Sequence, residues 1–276
     1  MLKLTQWSII CLLIINCTHN KQTDHKDFSL QNIVGMNHRS EKNKNRDKYR
    51  NPIETLKFFE VKPDMKVVEI SPATGWYTEI LAPYLKDRGQ LYAAVFTEDT
   101  QRDLYKRFNK TLKEKISKHP DIYGDVNYTV FEAPDHIGPI APKANSVDRV
   151  LTFRNIHNWM KVGALDEALK EFYRVLKPGG ILGIVEHRQS PDRKQDPKAL
   201  SGYVRQDYMI EKAKEAGFKL VASSEINANP KDDSLHPKGV WTLPPSLRLG
   251  EKNKDKYLNI GESDRMTLKF VKESQL

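Results

Sequence analysis

The chain has 276 residues, enough for one large domain or two small ones, and the regular alternation of elements described below favours one. With 38% hydrophobic and 29% charged residues, its composition is that of a soluble protein, and a formal net charge of +9 suits an anionic membrane surface, an acidic substrate or nucleic acid. Nucleic acid is not expected, because Lys and Arg are scattered and no stretch interleaves them with aromatic residues.

At the N-terminus Lys3 precedes an apolar run, Trp7 to Ile15, too short for a permanent span and of the length of a secretory signal core. Export is therefore expected. Cys17 follows directly in Ile14-Ile15-Asn16-Cys17, which resembles the lipobox of bacterial lipoproteins and implies lipidation at Cys17, a periplasmic or membrane-anchored location, and a membrane partner through the anchor. Asn16 departs from the small residue usual before that cysteine. Cys11, the only other cysteine, lies inside the signal, so the mature chain has no disulfide, thiolate metal site or catalytic cysteine. Residues 1–17 read as signal, 18–45 as a polar flexible tether, and 46–276 as the folded domain.

Order is expected from Arg46, with Asn51 and Pro52 opening a helix that places Ile53, Leu56 and Phe59 on one face. Val67-Val68-Glu69-Ile70 reads as a buried strand, Ser71 to Gly75 as a tight loop, and Thr78 to Leu85 as the next helix. A second strand over Leu91 to Phe96 completes a right-handed βαβ unit. Leu104, Phe108, Leu112 and Ile116 mark an amphipathic crossover helix. Further strands follow at Val126–Phe131, Ser146–Phe153 and Ile181–Val185, the last preceded by a helix over Asp166–Leu176 that Lys177-Pro178-Gly179-Gly180 closes. A helix over Arg205–Ala216 leads to a sixth strand at Phe218–Glu225, and Arg265–Lys272 alternates as a seventh. Between those two, residues 226–264 form an insertion too long for a hairpin, either functional or disordered.

Five strands alternating with helices, then an antiparallel-looking pair, resemble the class I S-adenosylmethionine-dependent methyltransferase fold, a Rossmann-like, mostly parallel α/β sheet of seven strands with an antiparallel last strand. Glu69-Ile70-Ser71-Pro72-Ala73-Thr74-Gly75 stands where that family has its acidic-x-Gly-x-Gly-x-Gly loop, Leu176 to Gly180 matches its Leu-Lys-Pro-Gly-Gly turn, and Glu132-Ala133 falls where it has an adenine-contacting Asp-Ala. More narrowly, Val68 to Leu81, Leu151 to Trp159 and Tyr203 to Tyr208 resemble a bacterial, often exported group of predicted methyltransferases of unsettled substrate.

The resemblance implies S-adenosylmethionine as cofactor, a small-molecule methyl acceptor, and a cofactor site formed by Glu69, Ser71, Ala73, Gly75, Glu132 and Phe153. Ser71 and Ala73 replace two glycines, and a Cβ is penalised wherever φ must be positive. The family's ribose-binding acid is also missing: Val95 and Phe96 stand at that point, with Glu98 and Asp99 the nearest acids, so either one reaches back, Glu98 being the cofactor-site candidate, or the ribose is held differently. Arg154, Asn155, His157 and Trp159 follow the fourth strand. His157 is the candidate general base, Asn155 and Arg154 its catalytic neighbours, and a purely structural His157 is the competing reading. Trp159, His187, Tyr203 and Tyr208 are candidate acceptor contacts. His157, His187 and Glu186 lack a helix-borne metal spacing, so no metal is expected. The alternative function is a surface lipoprotein that keeps a degenerate methyltransferase scaffold as a binding module; a nicotinamide-dependent oxidoreductase lacks the required glycines and ribose acid.

Overall fold

A computed structural model describes residues 29–141 and 143–273. The expected signal, Cys17 and the first part of the expected tether lie outside the described residues. The strands are β1 (Lys66–Ile70), β2 (Gln90–Val95), β3 (Val126–Val130), β4 (Val147–Phe153), β5 (Leu176–His187), β6 (Phe218–Ser224), β7 (Pro237–Val240) and β8 (Arg265–Lys272). The helices are α1 (Leu30–Gly35), α2 (Glu41–Lys44), α3 (Asp47–Arg50), α4 (Pro52–Phe58), α5 (Thr78–Leu85), α6 (Asp103–Ser117), α7 (Pro120–Tyr123), α8 (Ile156–Lys161), α9 (Leu165–Val175), α10 (Gln206–Glu215) and α11 (Lys254–Ile260).

Seven strands make one sheet in the order β3-β2-β1-β4-β5-β8-β6. The first five pair in parallel and β8 runs antiparallel to both β5 and β6, so the arrangement is that of the class I methyltransferase fold. Four of the five β1 residues are buried because helices cover both faces of a central strand. One apolar layer packs Leu165, Leu169, Phe172 and Met209 against one face, and the other packs Leu56, Ile80, Leu81 and Leu112 against the opposite face. The strand order reverses between β1 and β4, and a crevice at the carboxyl ends of the strands at such a switch point is where open α/β sheets take ligands.

Two sequence expectations need correction, and one open alternative closes. Residues 29–45 are not a tether: they form α1 and α2, with Leu30 and Ile33 buried. Few apolar residues anchor them, and polar contacts supply the rest. Arg39 donates two 2.8 Å hydrogen bonds to Asp47, Asn43 Nδ2 donates to the Glu79 carboxylate at 2.9 Å, and Trp76 Nε1 donates to Asn43 O at 3.1 Å. Leu176 to Gly180, expected as a turn before the fifth strand, is part of β5 itself. The pairing with β4 passes from Val147–Leu176 to Arg149–Ile181, so the Lys-Pro-Gly-Gly segment bulges out of the ladder. Of the two alternatives for the insertion 226–264, disorder is the one that falls: it contains β7 and α11 and folds back over the carboxyl ends of the strands, with Val240 N donating to Ser201 O at 2.8 Å.

Candidate functional site

The loop leaving β1 holds three consecutive odd positions in the left-handed region: Ser71 (φ 47°), Ala73 (φ 53°) and Gly75 (φ 80°). Only Gly75 takes that conformation freely; the other two carry a steric cost that the surrounding fold holds in place. Ser71 N donates to Ala94 O on β2 at 2.9 Å, which pins the start of the loop. At Gly75 a Cβ would lie 2.5 Å from Leu112 Cδ1, a side-chain tip that must shift to make room, while the positive φ is what favours glycine there.

Beneath the loop Glu69 is buried and accepts a 2.6 Å hydrogen bond from Thr78 Oγ1 at the start of α5. Burial pushes its carboxyl up to about 7 against the pull of the Thr78 hydrogen bond and the Lys115 charge.

Above the loop lies a cleft of ≈ 720 Å³, lined by Ser71, Ala73, Arg154, Asn155, His157, Trp159 and His187 among others. That volume holds a nucleoside-sized ligand together with a small acceptor. The side chains of Ser71 and Ala73 stand in its wall and do not fill it. One end is aromatic and apolar: Phe96, Tyr105, Phe108, Phe131 and Ala133 line it, and Phe96 stacks on Tyr105 with centroids 3.7 Å apart. The first turns of α6 thus leave the core to form this wall, while Leu112 and Ile116 of the same apolar stripe stay buried.

At the other end the chemistry is polar. His157 Nδ1 lies 3.0 Å from Glu186 Oε1, and Glu186 also accepts from the backbone N of His187 at 2.8 Å. An ionised carboxylate can only accept, so Nδ1 carries the proton and Nε2 is left as the basic nitrogen. His187 is buried beside it with Nδ1 2.5 Å from Ser263 Oγ, and burial, then the neighbouring His157 and Arg265, hold its imidazole well below the usual range. Asn155 Nδ2 donates to Ile70 O at 3.0 Å, which locks the loop after β4 to the end of β1. One ligand atom from each of His157, Glu186 and His187 lies within 4.8 Å of the others, so this trio could take a metal ion; a second such group, Asp232, Asp233 and His236, lies outside the cleft.

Several candidates fall elsewhere. Glu69 and Gly75 support the loop from below and do not line the cleft. Glu98 is exposed and paired with Lys113, so it does not reach back to the place of the missing ribose acid. Glu132 accepts from Thr97 N, Thr97 Oγ1 and Thr100 Oγ1 at 3.1, 2.9 and 2.6 Å, which ties the loop after β2 to the loop after β3 and commits most of its accepting capacity. Phe153 is buried and stacks on Tyr77, centroids 3.6 Å apart. Trp159 lines the cleft but packs largely in the core against Phe131 and Phe172. Tyr203 is buried behind the cleft and donates to Asp232, and Tyr208 packs on the α10 face of the core.

The sequence reading missed Arg46 and Arg50 from the N-terminal helices, Trp241 and Arg248 from the insertion, and Glu262, Ser263 and Arg265 before and at the start of β8. Their shared signal was weak: a polar N-terminal segment and a long polar insertion, both of which the fold brings to the cleft.

Residues 68–184 match the family described as methyltransferase domain. A ubiquinone/menaquinone biosynthesis C-methyltransferase from Hydrogenovibrio crunogenus is 26% identical over 204 residues, covering 73% of this chain and 71% of that protein. Among solved structures, a SAM dependent methyltransferase from Aquifex aeolicus is 20% identical with a TM-score of 0.50, over 66% of this chain and 87% of that one. Phosphoethanolamine N-methyltransferase 2 of Haemonchus contortus, solved with S-adenosyl-L-methionine, is 17% identical with a TM-score of 0.54, over 82% of this chain and 53% of that one. The two structures share this chain's fold.

Proposed function

We propose that this chain, a member of the class I S-adenosylmethionine-dependent methyltransferase superfamily, is exported and methylates a small acceptor in the cleft above the loop leaving β1. Its cofactor is S-adenosylmethionine, which when bound supplies a methyl group on a positively charged sulfur. The observation that carries the site assignment is the cleft itself: it stays open with Ser71 and Ala73 in its wall, and His157, backed by Glu186, lines it beside them.

Each residue has a distinct task in this reading. The left-handed backbone at Ser71, Ala73 and Gly75 turns the loop so that it can run beneath a ligand, and the aromatic end around Phe96 and Phe131 suits a base. His157 Nε2 takes the proton that the acceptor gives up, while Glu186 fixes the tautomer and stabilises the imidazolium. Asn155 keeps the His157 helix in register with the loop. Packing of the insertion over the strand ends, with Trp241 5.9 Å from His157 between ring centroids, excludes water from the reacting atoms. Export rests on the N-terminal sequence alone, and mass spectrometry of the N-terminus of protein recovered from cells checks it: an acylated Cys17 supports it, an intact Met1 opposes it.

Calorimetric titration of the purified protein with S-adenosylmethionine and S-adenosylhomocysteine tests the cofactor site. Micromolar binding of both is expected. No heat with either at millimolar ligand would favour the scaffold as a binding module and remove the enzyme.

A further inference from the structure

Seven cationic side chains and a single carboxylate, Glu262, line the cleft. Most of the cations near Glu262 are accounted for. Arg46 Nε donates to it at 2.5 Å, and Arg265 donates to it and, from Nη1, to Tyr49 O at 2.7 Å. Burial alone would raise the Glu262 carboxyl, but Arg265, Arg46 and Arg50 together hold it well below the usual range, so it stays ionised, with its hydrogen bonds taken by Arg46 and Arg265.

Two guanidiniums near Glu262 remain without a side-chain hydrogen bond among the described residues. Arg50 is 3% exposed, lines the cleft, and makes no side-chain hydrogen bond; its Nε is 3.6 Å from Glu262, and its plane rests 4.5 Å from the Trp76 ring centroid. Arg154 lines the same wall from a left-handed backbone (φ 63°), and no side-chain hydrogen bond or ion pair engages it among the described residues. Keeping Arg50 buried with only a 3.6 Å ion pair to Glu262, beside a partly buried Arg154 that has no side-chain partner among the described residues, is costly unless a ligand pairs with them. S-adenosylmethionine does not supply the balance, because its ammonium and sulfonium outweigh its one carboxylate and it enters the cleft with a net positive charge.

The geometry points to Arg50 and Arg154 as an anion subsite for the methyl acceptor: the acceptor carries a carboxylate or phosphate group that these two guanidiniums bind beside His157. The inference rests on the methyltransferase reading of the cleft. Planar, forked guanidiniums match both anions, and two of them impose an orientation that a single charge would not. An anchored anion also accounts for how an otherwise small substrate is held while His157 removes its proton.

Inorganic phosphate is the probe. Thermal unfolding of the purified protein saturated with S-adenosylhomocysteine is followed with millimolar phosphate and with potassium chloride of matched ionic strength. Phosphate is expected to raise Tm by about 5 °C over chloride. Arg154→Met and Arg50→Met should each abolish that rise, unfold at or above the wild-type Tm without phosphate, and keep S-adenosylhomocysteine affinity within about threefold, a tenfold change being about 1.4 kcal/mol. A phosphate response that vanishes when S-adenosylhomocysteine is added, or a loss of its affinity of tenfold or more in either variant, would assign the arginines to the cofactor's carboxylate and overturn the proposal. Equal Tm in phosphate and chloride would overturn it too. Failure of S-adenosylhomocysteine to bind the wild type, with the phosphate response intact, would instead remove the methyltransferase reading and the acceptor role with it.

Discussion

Replacing Glu69 with Gln tests the electrostatics beneath the cofactor loop. The carboxyl is fully buried and is raised by that burial from 4.5 to about 7. Because the folded value lies above the unfolded one, the protonated group's contribution to stability is complete below about pH 4.5 and is lost as pH rises through 7. At about 1.36 kcal/mol per pH unit, the difference amounts to roughly 3 kcal/mol at pH 8, or about 6–12 °C in Tm for a domain of this size. Glu69→Gln has nothing to titrate, and its carbonyl can still accept from Thr78 Oγ1. Thermal unfolding of both proteins without ligand, from pH 4.5 to 8.5, should show the variant gaining on the wild type steadily as pH rises. Any buried donor that Gln adds shifts the two curves by a constant, so the slope is the readout. A gap between variant and wild type that does not change with pH would refute the reasoning.

Other substitutions separate chemistry from scaffold. His157→Ala should lower kcat for the acceptor by about 10²-fold or more while leaving S-adenosylhomocysteine affinity unchanged by calorimetry. Glu186→Gln, which can no longer fix the His157 tautomer through two acceptor oxygens, should lower kcat less in the same assay. Gly75→Ala should destabilise the fold by about 2 kcal/mol or more in urea unfolding, since it combines a positive φ with a Cβ contact of 2.5 Å. A cost below half a kilocalorie would mean that the loop and Leu112 relax together.

The sheet was readable because its signals are local. The β-branched run at Val67 and Val68, the alternation from Arg265 to Lys272 and the Gly217 stop each sit inside a few residues, and all the strands expected from sequence appear in the sheet within two residues at most ends, β5 excepted. The loop from Ser71 to Gly75 and the cluster from Arg154 to Trp159 were legible for the same reason. Arg50, Glu262 and Arg265 were not, since more than two hundred positions separate the first from the others and only the order β4-β5-β8 brings them to one wall. Residues 29–45 misled because composition weighs against packing, whereas what holds them is a set of directed hydrogen bonds to Glu79, Asp47 and Trp76 that composition does not encode. At Glu98 the reading failed on reach: proximity in sequence to the end of β2 says nothing about the side chain, which faces solvent and pairs with Lys113.

The central claim is that a nucleoside ligand rests over a β1 loop whose left-handed turns are made by Ser71 and Ala73 in place of glycine. A crystal structure of the protein soaked with S-adenosylhomocysteine measures it most directly. Density for the ligand is expected along the loop, with the base toward Phe96 and Ala133 and both φ angles still positive. A loop refolded to negative φ at Ser71 and Ala73, or ligand density only outside this cleft, would contradict it.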